Sequence, residues 1–162
     1  MTGFVIHALP VLRGILAIAP LPGAGGDYGA DMDHLSDWRP SMVLALTQTQ
    51  EMAVSGAGDL GRSIVALGAR WVHVQVPDYG VPDAAAMTVW RKSAPFALAA
   101  LRGGGRVLIH CRGGCGRSGM AALRLMIDAG EPGSEALARL RAVRACAVET
   151  PAQMLWAMQG SV

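Results

Sequence analysis

Short apolar runs alternate along this chain with longer segments whose apolar residues recur at helical spacing. The short runs predict strands over 14–19, 42–46, 71–76 and 106–109. The longer segments predict helices over 30–38, 59–67, 84–101, 118–129, 134–144 and 151–158. Because strands separated by helices are typical of α/β proteins, we expect a three-layer α/β fold with a central, mostly parallel sheet flanked by helices.

The N-terminal segment from Phe4 to Leu21 is also apolar, but Pro10, Arg13 and Pro20 interrupt it. Its uninterrupted parts are too short to span a membrane, and no basic region precedes them as in a signal peptide. We interpret this segment as core strands and expect no membrane partner.

Length and composition are consistent with one domain over residues 1–162. A chain of 162 residues that is 52% hydrophobic can bury a sizeable core, and no linker-like stretch divides it. The net charge of +2 is too small to indicate nucleic acid as a partner. We favour a monomer.

The local charge pattern says more than the net charge. Between Arg102 and Arg124 there are five arginines and no acidic residue, so this segment should have a positive potential that favours an anionic substrate. Three further arginines, Arg139, Arg141 and Arg144, are interpreted as a solvated helix face.

The segment between the strand over 106–109 and the helix over 118–129 contains a glycine-rich loop closed by a cysteine and an arginine. Glycine permits backbone conformations that turn successive N–H groups onto an anion. The N-terminus of the following helix adds unpaired donors and a favourable dipole. We therefore predict a phosphate-binding loop made of Arg112, Gly113, Gly114, Cys115, Gly116 and Arg117, with Arg112 contributing mainly its backbone N–H.

Three side chains of this loop have reactive chemistry. A helix N-terminus and a nearby guanidinium favour the thiolate form of Cys111, which is the nucleophilic form. The planar fork of Arg117 can bind two phosphoryl oxygens at once. The hydroxyl of Ser118 can hydrogen-bond the Cys111 sulfur and stabilise it as a leaving group. The loop thus predicts nucleophilic attack on phosphorus by Cys111.

The chain has three cysteines, and their spacing matches neither a disulfide framework nor a zinc site. We expect no metal, no cofactor and a reducing, cytoplasmic location. Cys115 has two interpretations: a small side chain of the loop, which is preferred, or a partner that protects Cys111 in a reversible disulfide.

Expulsion of an alkoxide or phenoxide from phosphorus requires a proton donor, so we expect an Asp or Glu on another loop. Asp78 and Asp83 both follow the strand over 71–76, in a segment shaped by two prolines and Gly80. Asp78 is the favoured acid, because Asp83 has an equally good role as the N-cap of the next helix.

The stretch from His110 to Gly119 resembles the His-Cys-(five residues)-Arg-Ser signature of cysteine-dependent protein tyrosine and dual-specificity phosphatases. Residues 74–83 are similar to the general-acid loop of the small group around the cyclin-dependent kinase-associated phosphatase, and residues 147–153 resemble the family's glutamine loop. The resemblance implies that Asp78 is the general acid and that Gln153 orients the attacking water. Gln153 is equally an ordinary first-turn residue of a helix that starts after Thr150.

The resemblance further implies a phosphatase-like domain that hydrolyses phosphate monoesters through a phosphocysteine at Cys111. The expected substrate is phosphotyrosine, phosphoserine or phosphothreonine in a protein, and a phosphate or sulfate ion should fit the loop. Relatives with this loop also act on phosphoinositides or RNA 5′-triphosphate, so a non-protein substrate is an alternative. Two different functions would also use such a loop: a non-catalytic phosphate-binding module, and a sulfurtransferase, in which Asp78 and Ser118 would have no evident purpose.

Overall fold

One five-stranded sheet forms the centre of the computed structural model, which describes residues 3–160. Its strands are β1 (His7–Val11), β2 (Gly14–Ala19), β3 (Met42–Ala45), β4 (Arg70–His73) and β5 (Arg106–His110). They are ordered β1-β2-β5-β3-β4. The β1–β2 pair is antiparallel and the other three pairs are parallel.

Seven helices are present in residues 3–160, and they cover both faces of the sheet. They are α1 (Tyr28–Trp38), α2 (Thr49–Val54), α3 (Leu60–Ala66), α4 (Ala84–Arg102), α5 (Gly116–Asp128), α6 (Gly133–Val143) and α7 (Pro151–Met158). None of them is both long and apolar enough to cross a membrane.

Alternate residues of each central strand contribute to different cores, as the two-residue period of a strand requires. Leu16 and Ile18 of β2 pack in the core that includes α4, α5, α6 and α7. Ala17 and Ala19 pack on the other face, with buried residues of α1, α2 and α3. The three-layer α/β fold predicted from the sequence is therefore confirmed.

The middle strand β5 leads directly into the glycine-rich loop. It has a parallel neighbour on each side, β2 and β3, and the loop is followed at once by α5. Most of α5 is buried, from Gly116 to Leu123 without a break. The loop is thus held between a buried strand and a buried helix, at the edge where the carboxyl ends of the parallel strands meet.

The structure differs from the predicted elements mainly at their ends. β4 stops at His73, although the sequence predicts a strand to residue 76. Beyond it the N–H groups of Val74 and Val76 still donate to Ala45 and Leu46, at 2.9 and 3.1 Å, but without forming a regular ladder. Helix α2 is not predicted at all.

Candidate active site

The buried thiol of Cys111 lies at the base of the loop, directly after β5. Only 3% of Cys111 is exposed, and its Sγ is 3.2 Å from the Oγ of the fully buried Ser118. Ser118 belongs to the first turn of α5, so the hydroxyl and the sulfur are brought together by the strand-loop-helix connection itself. The hydroxyl is in position to hydrogen-bond the sulfur.

The backbone of the loop is oriented by its carbonyl groups. The four carbonyls of residues 112–115 all accept hydrogen bonds from outside the loop or from the following helix, with N···O distances of 2.9 to 3.3 Å: Arg112 from Leu21, Gly113 and Gly114 from Arg144, and Cys115 from Gly119 and Val148. Because the N–H of a trans peptide points opposite to its C=O, the next four N–H groups, those of residues 113–116, face the other way. Three of them, the N–H groups of residues 113, 114 and 115, have no acceptor in the described part of the chain, and neither does the N–H of Arg112.

Gly114 is the loop position that requires glycine. Its φ is +73°, and a Cβ there would lie 2.7 Å from the carbonyl carbon of Ala19 and 2.8 Å from the nitrogen of Pro20. Any other residue would need the strained left-handed conformation and would also collide with backbone. This glycine therefore allows the loop to pack against the end of β2.

Arg117 is 1% exposed, and a carboxylate that the sequence analysis missed holds its guanidinium. Nη1 and Nη2 of Arg117 each donate to one carboxylate oxygen of Glu51 at 2.8 Å, and Nη1 also donates to the carbonyl of Val76 at 2.9 Å. Nε of Arg117 is buried and has no partner within residues 3–160. The Nε hydrogen and the Nη2 hydrogen that Glu51 does not use thus stay available for a ligand.

The ion pair keeps both groups charged. Burial acts to raise the pKa of Glu51, but hydrogen bonds from Arg117 and the Gln48 N–H, together with the charges of Arg117 and Arg112, hold the pKa of that carboxyl below its usual value. Burial likewise acts to lower the pKa of Arg117, but the hydrogen bond with Glu51 and the negative charges around the guanidinium together raise it above its ordinary value. Glu51 therefore acts as a fixed anion that orients Arg117, and it does not supply a proton near neutral pH.

Asp78 lies beside the same guanidinium. Its Oδ1 is 3.4 Å from Nη2 of Arg117 and accepts a hydrogen bond from the N–H of Tyr79 at 3.0 Å. The Asp78 side chain is 45% exposed, so it borders solvent and the loop together. Asp83 is engaged differently: it is the N-cap of α4 and accepts from the N–H of Ala86 at 2.8 Å.

Gln153 is fully buried, and its amide connects two segments of the site. Its Oε1 accepts from the N–H groups of Glu149 and Thr150 at 3.0 and 3.3 Å. The bond from Thr150, together with the bond from the Gln153 N–H to the Thr150 hydroxyl at 3.1 Å, forms the capping box of α7. Its Nε2 donates to the carbonyl of Gly80, on the Asp78 loop, at 3.2 Å. One amide hydrogen of Gln153 remains after these bonds.

His110 precedes Cys111 and is a neutral structural residue. It is completely buried, and burial lowers its pKa to about 4. Its Nδ1 is 3.4 Å from the carbonyl oxygen of Cys111. Near neutral pH the ring is uncharged, which fits a role in shaping the loop.

The cysteine pairing differs from both interpretations of Cys115. Cys115 forms a disulfide with Cys146, 31 residues later, and Cys111 is the free cysteine. The disulfide between Cys111 and Cys115 that the spacing suggested is therefore wrong for this structure. Cys115 is also not a plain loop side chain, because it attaches the loop covalently to the segment between α6 and α7.

This pairing predicts that denatured protein, kept without reductant, is alkylated at one cysteine, Cys111. After reduction, alkylation should reach all three cysteines, and peptide mass mapping distinguishes the two results. Three labelled cysteines before reduction would contradict the pairing. A persistent disulfide is typical of oxidising compartments. The cytoplasmic location stays a prediction.

The arginines expected on a solvated helix face bind backbone carbonyls instead. Arg141 donates to the carbonyls of Ala147 and Val148 at 2.9 and 3.0 Å. Arg144 is half-buried and caps the end of α6, where it contacts the loop. The interpretation of Arg144 as a solvated residue is therefore wrong, because its guanidinium satisfies loop carbonyls.

A cavity of about 380 Å³ opens beside the loop. Its wall includes the loop residues Arg112 and Gly113, together with His7, Asp31 and Arg144. Among residues 3–160 no group of His, Cys, Asp and Glu side chains is arranged to hold a metal ion.

Several solved structures are similar to this chain over most of its length. KAP, the kinase-associated phosphatase with its catalytic cysteine replaced by serine, has a TM-score of 0.84 at 21% identity over 97% of this chain and 93% of its own. Tk-PTP in its active form has a TM-score of 0.70 at 27% identity over 89% of each chain. PTPMT1 in complex with PI(5)P has a TM-score of 0.71 at 17% identity over 93% of this chain and 92% of its own. No family model matches the chain, and neither does any curated protein.

Proposed function

We propose that this protein hydrolyses phosphate monoesters through a phosphocysteine at Cys111. Its fold is that of the tyrosine and dual-specificity phosphatases. The observation that carries this proposal is that one strand-loop-helix connection holds the buried Cys111 thiol, loop amides without an acceptor and the unpartnered Nε of Arg117. N–H donors of this kind suit a tetrahedral dianion, and they stabilise the charge that develops in the transition state.

In the first step the Cys111 thiolate attacks phosphorus, a sulfur–phosphorus bond forms, and the bond from phosphorus to the ester oxygen breaks. Asp78 donates its proton to the departing oxygen. Loop amides and Arg117 hold the three equatorial oxygens of the phosphoryl group. The bidentate pair with Glu51 supports this role, since it fixes the plane of the Arg117 guanidinium before substrate binds.

In the second step a water molecule attacks the phosphocysteine, Asp78 accepts a proton from that water, and the Cys111 thiolate leaves. Ser118 stabilises the returning thiolate through the hydrogen bond that its 3.2 Å separation from the sulfur allows. Gln153 is proposed to orient the water with its remaining amide hydrogen. Its bond to Gly80 also couples it to the segment that carries Asp78.

The direct test of this function is phosphate release from para-nitrophenyl phosphate in the presence of a metal chelator, together with trapping of labelled phosphoprotein by acid quench. We expect turnover and a phosphate label on the Cys111 peptide. Absence of turnover with retained phosphate binding would instead favour the non-catalytic phosphate-binding module. The name of one structural neighbour, a human tyrosine phosphatase-like serine/threonine/tyrosine-interacting protein, describes it as phosphatase-like and interacting, so that alternative needs this test.

For the substrate we propose a phosphorylated protein, with phosphotyrosine, phosphoserine or phosphothreonine as the reacting group. A phosphoinositide is the leading alternative, because the similar PTPMT1 structure contains PI(5)P. A panel of phosphopeptides, phosphoinositides and RNA 5′-triphosphate, compared by kcat/KM, separates these classes. A preference for lipid or RNA over every phosphopeptide would overturn the protein-substrate proposal.

Replacing Asp78 with asparagine should make the rate depend strongly on the leaving group. For phenyl phosphate, whose leaving oxygen needs a proton, we expect kcat/KM to fall by about 10²- to 10³-fold. For para-nitrophenyl phosphate, whose leaving group departs more easily as an anion, the loss in kcat/KM should be much smaller. The measurement is the ratio of the two kcat/KM values in wild type and variant, because kcat/KM reports the first step and not the second step, which both substrates share.

Asp83→Asn is the matched control for this prediction. It makes the same chemical change five residues later, and asparagine is an equally good N-cap, so α4 should keep its first-turn hydrogen bond. We expect wild-type leaving-group dependence in this variant. If Asp83→Asn gave the steep dependence and Asp78→Asn did not, Asp83 would be the acid.

A further inference from the structure

Arg144 contacts the phosphate loop from the side opposite to its amides. Its Nε donates to the carbonyl of Gly114 at 3.2 Å, and its Nη2 donates to the carbonyl of Gly113 at 3.1 Å. Nη2 is also 3.4 Å from the Sγ of Cys115. One planar guanidinium thus binds two successive peptide groups of the loop.

These two hydrogen bonds constrain the peptide groups that face the anion site. The peptide group is rigid and trans, so fixing the direction of a C=O also fixes the N–H of the next residue. By holding the carbonyls of Gly113 and Gly114, Arg144 turns the N–H groups of Gly114 and Cys115 toward the anion site. Gly114 has little intrinsic preference for one backbone conformation, so an external contact has the greatest effect at this position.

The segment that carries Arg144 is itself attached to the loop. The disulfide between Cys115 and Cys146 lies two residues beyond Arg144, and the N–H of Val148 donates to the carbonyl of Cys115 at 3.3 Å. We call residues 144–148 the clasp. The clasp holds the loop by the disulfide and by three hydrogen bonds to the successive carbonyls of residues 113, 114 and 115.

We propose that Arg144 is a positioning residue for phosphoryl transfer: with the disulfide holding it in place, it orients two of the loop amides that bind the phosphoryl oxygens. This inference rests on the proposed phosphatase function. It assigns Arg144 no contact with the substrate. Its contribution is the preorganisation of donors, which should matter more in the transition state than in the ground state.

A simpler explanation is that Arg144 acts only through its positive charge near an anion site. Arg144→Lys separates the two explanations, because lysine keeps the charge but has one nitrogen in place of a planar fork. A single ammonium cannot reproduce two in-plane hydrogen bonds to successive carbonyls. Orientation by Arg144 therefore predicts a defect in the lysine variant, whereas charge alone predicts near wild-type behaviour.

The test compares wild type, Arg144→Ala and Arg144→Lys by kcat/KM on para-nitrophenyl phosphate and by the inhibition constants of inorganic phosphate and vanadate. Vanadate can adopt the five-coordinate geometry of the transition state. We expect kcat/KM to fall on the order of 10²-fold in Arg144→Ala, the size of loss expected from a small misplacement of binding groups. The affinity for vanadate should fall more than that for phosphate, and Arg144→Lys should recover less than half of the loss on a logarithmic scale.

Arg139→Ala is the matched control, since Arg139 lies on α6 and also donates to a backbone carbonyl, that of Pro10, but contacts neither the loop nor the clasp. We expect its kcat/KM within about threefold of wild type, with the Tm of both alanine variants measured alongside. Full rescue by lysine, an equal loss in Arg139→Ala, or a phosphate and vanadate affinity unchanged in Arg144→Ala would each overturn the proposal. If the alanine variant does not fold, the lysine variant alone decides between orientation and charge.

The variant Cys146→Ala, assayed without reductant and without oxygen, tests whether the disulfide holds Arg144 in place. This variant keeps the Arg144 side chain but releases the clasp, so we expect a smaller loss than in Arg144→Ala. The double variant should lose less than the product of the two single effects, because both changes disturb the same loop. If the loss in the double variant equals the product of the two single losses, Arg144 and the disulfide act independently and the proposed coupling between them is wrong. A wild-type protein that neither turns over nor binds vanadate would refute the proposed function itself, which is a distinct result.

Discussion

Serine in place of Cys111 is expected to lower kcat on the order of 10⁴-fold or more, while inorganic phosphate still binds. A hydroxyl at this position is a far weaker nucleophile than a thiolate, and loss of the nucleophile in an enzyme that works through a covalent intermediate has effects of this size. Binding should survive because the loop amides and Arg117 do not involve the sulfur. Steady-state turnover and calorimetric titration with phosphate measure the two quantities.

Ser118→Ala is the informative control for that variant. It keeps the nucleophile but removes the hydroxyl 3.2 Å from the sulfur, so departure of the thiolate in the second step should become slower. Phosphoprotein should therefore accumulate in Ser118→Ala under acid quench and be absent from Cys111→Ser. Turnover by Cys111→Ser at more than about one hundredth of the wild-type rate would contradict the assignment of the nucleophile.

The sequence predicts those residues of the site that lie close together in the chain. Cys111, Arg117 and Ser118 fall within one strand-loop-helix connection, so their spacing alone places them on one small backbone feature. The apolar runs on both sides identify the connection, because a buried strand and a buried helix both need continuous hydrophobic residues. Asp78 is predicted from the chemistry that the loop requires, since a leaving oxygen needs a proton, and the structure places its Oδ1 3.4 Å from Nη2 of Arg117.

Contacts between segments that are distant in the chain leave no signal in the sequence comparable to the spacing of Cys111, Arg117 and Ser118. Glu51 binds Arg117 across 66 residues, and Arg144 reaches Gly114 across 30. Glu51 lies on α2, a helix of six residues whose first turn is held by the hydrogen bond from the N–H of Gln48 to the Glu51 carboxylate at 2.7 Å. Glutamine is not one of the residues that mark a helix start, so the sequence signals neither this helix nor the arginine that its carboxylate holds.

The ends of the elements depend on contacts that periodicity does not encode. Helix α1 begins at Tyr28, two residues before the apolar pattern suggests, because Asp27 caps it by accepting from the N–H of Ala30. The disulfide is a similar case: three cysteines allow three pairings, and only the fold brings Cys115 and Cys146 within bonding distance. Hydrophobic period fixes the type of an element, whereas its limits follow from individual hydrogen bonds.

Replacement of Arg117 by lysine should lower kcat by about 10³-fold, even though it preserves the positive charge. The guanidinium has to bind both oxygens of Glu51 and the carbonyl of Val76 while its Nε stays available at the loop. An ammonium group has three donors on one atom, so it cannot satisfy the Glu51 carboxylate and also reach two phosphoryl oxygens. The measurement is kcat on para-nitrophenyl phosphate, with vanadate affinity as a second readout.

Arg124→Lys is the matched control, because it makes the same substitution two turns later on α5. Arg124 lies over the ring of Trp156 at 4.3 Å and donates to the carbonyl of Trp156 at 3.2 Å, so its loss disturbs packing away from the loop. We expect some loss of Tm and a kcat within about threefold of wild type. A drop of less than tenfold in Arg117→Lys would show that charge alone is sufficient at this position, and that the bidentate contact with Glu51 serves folding and not the reaction.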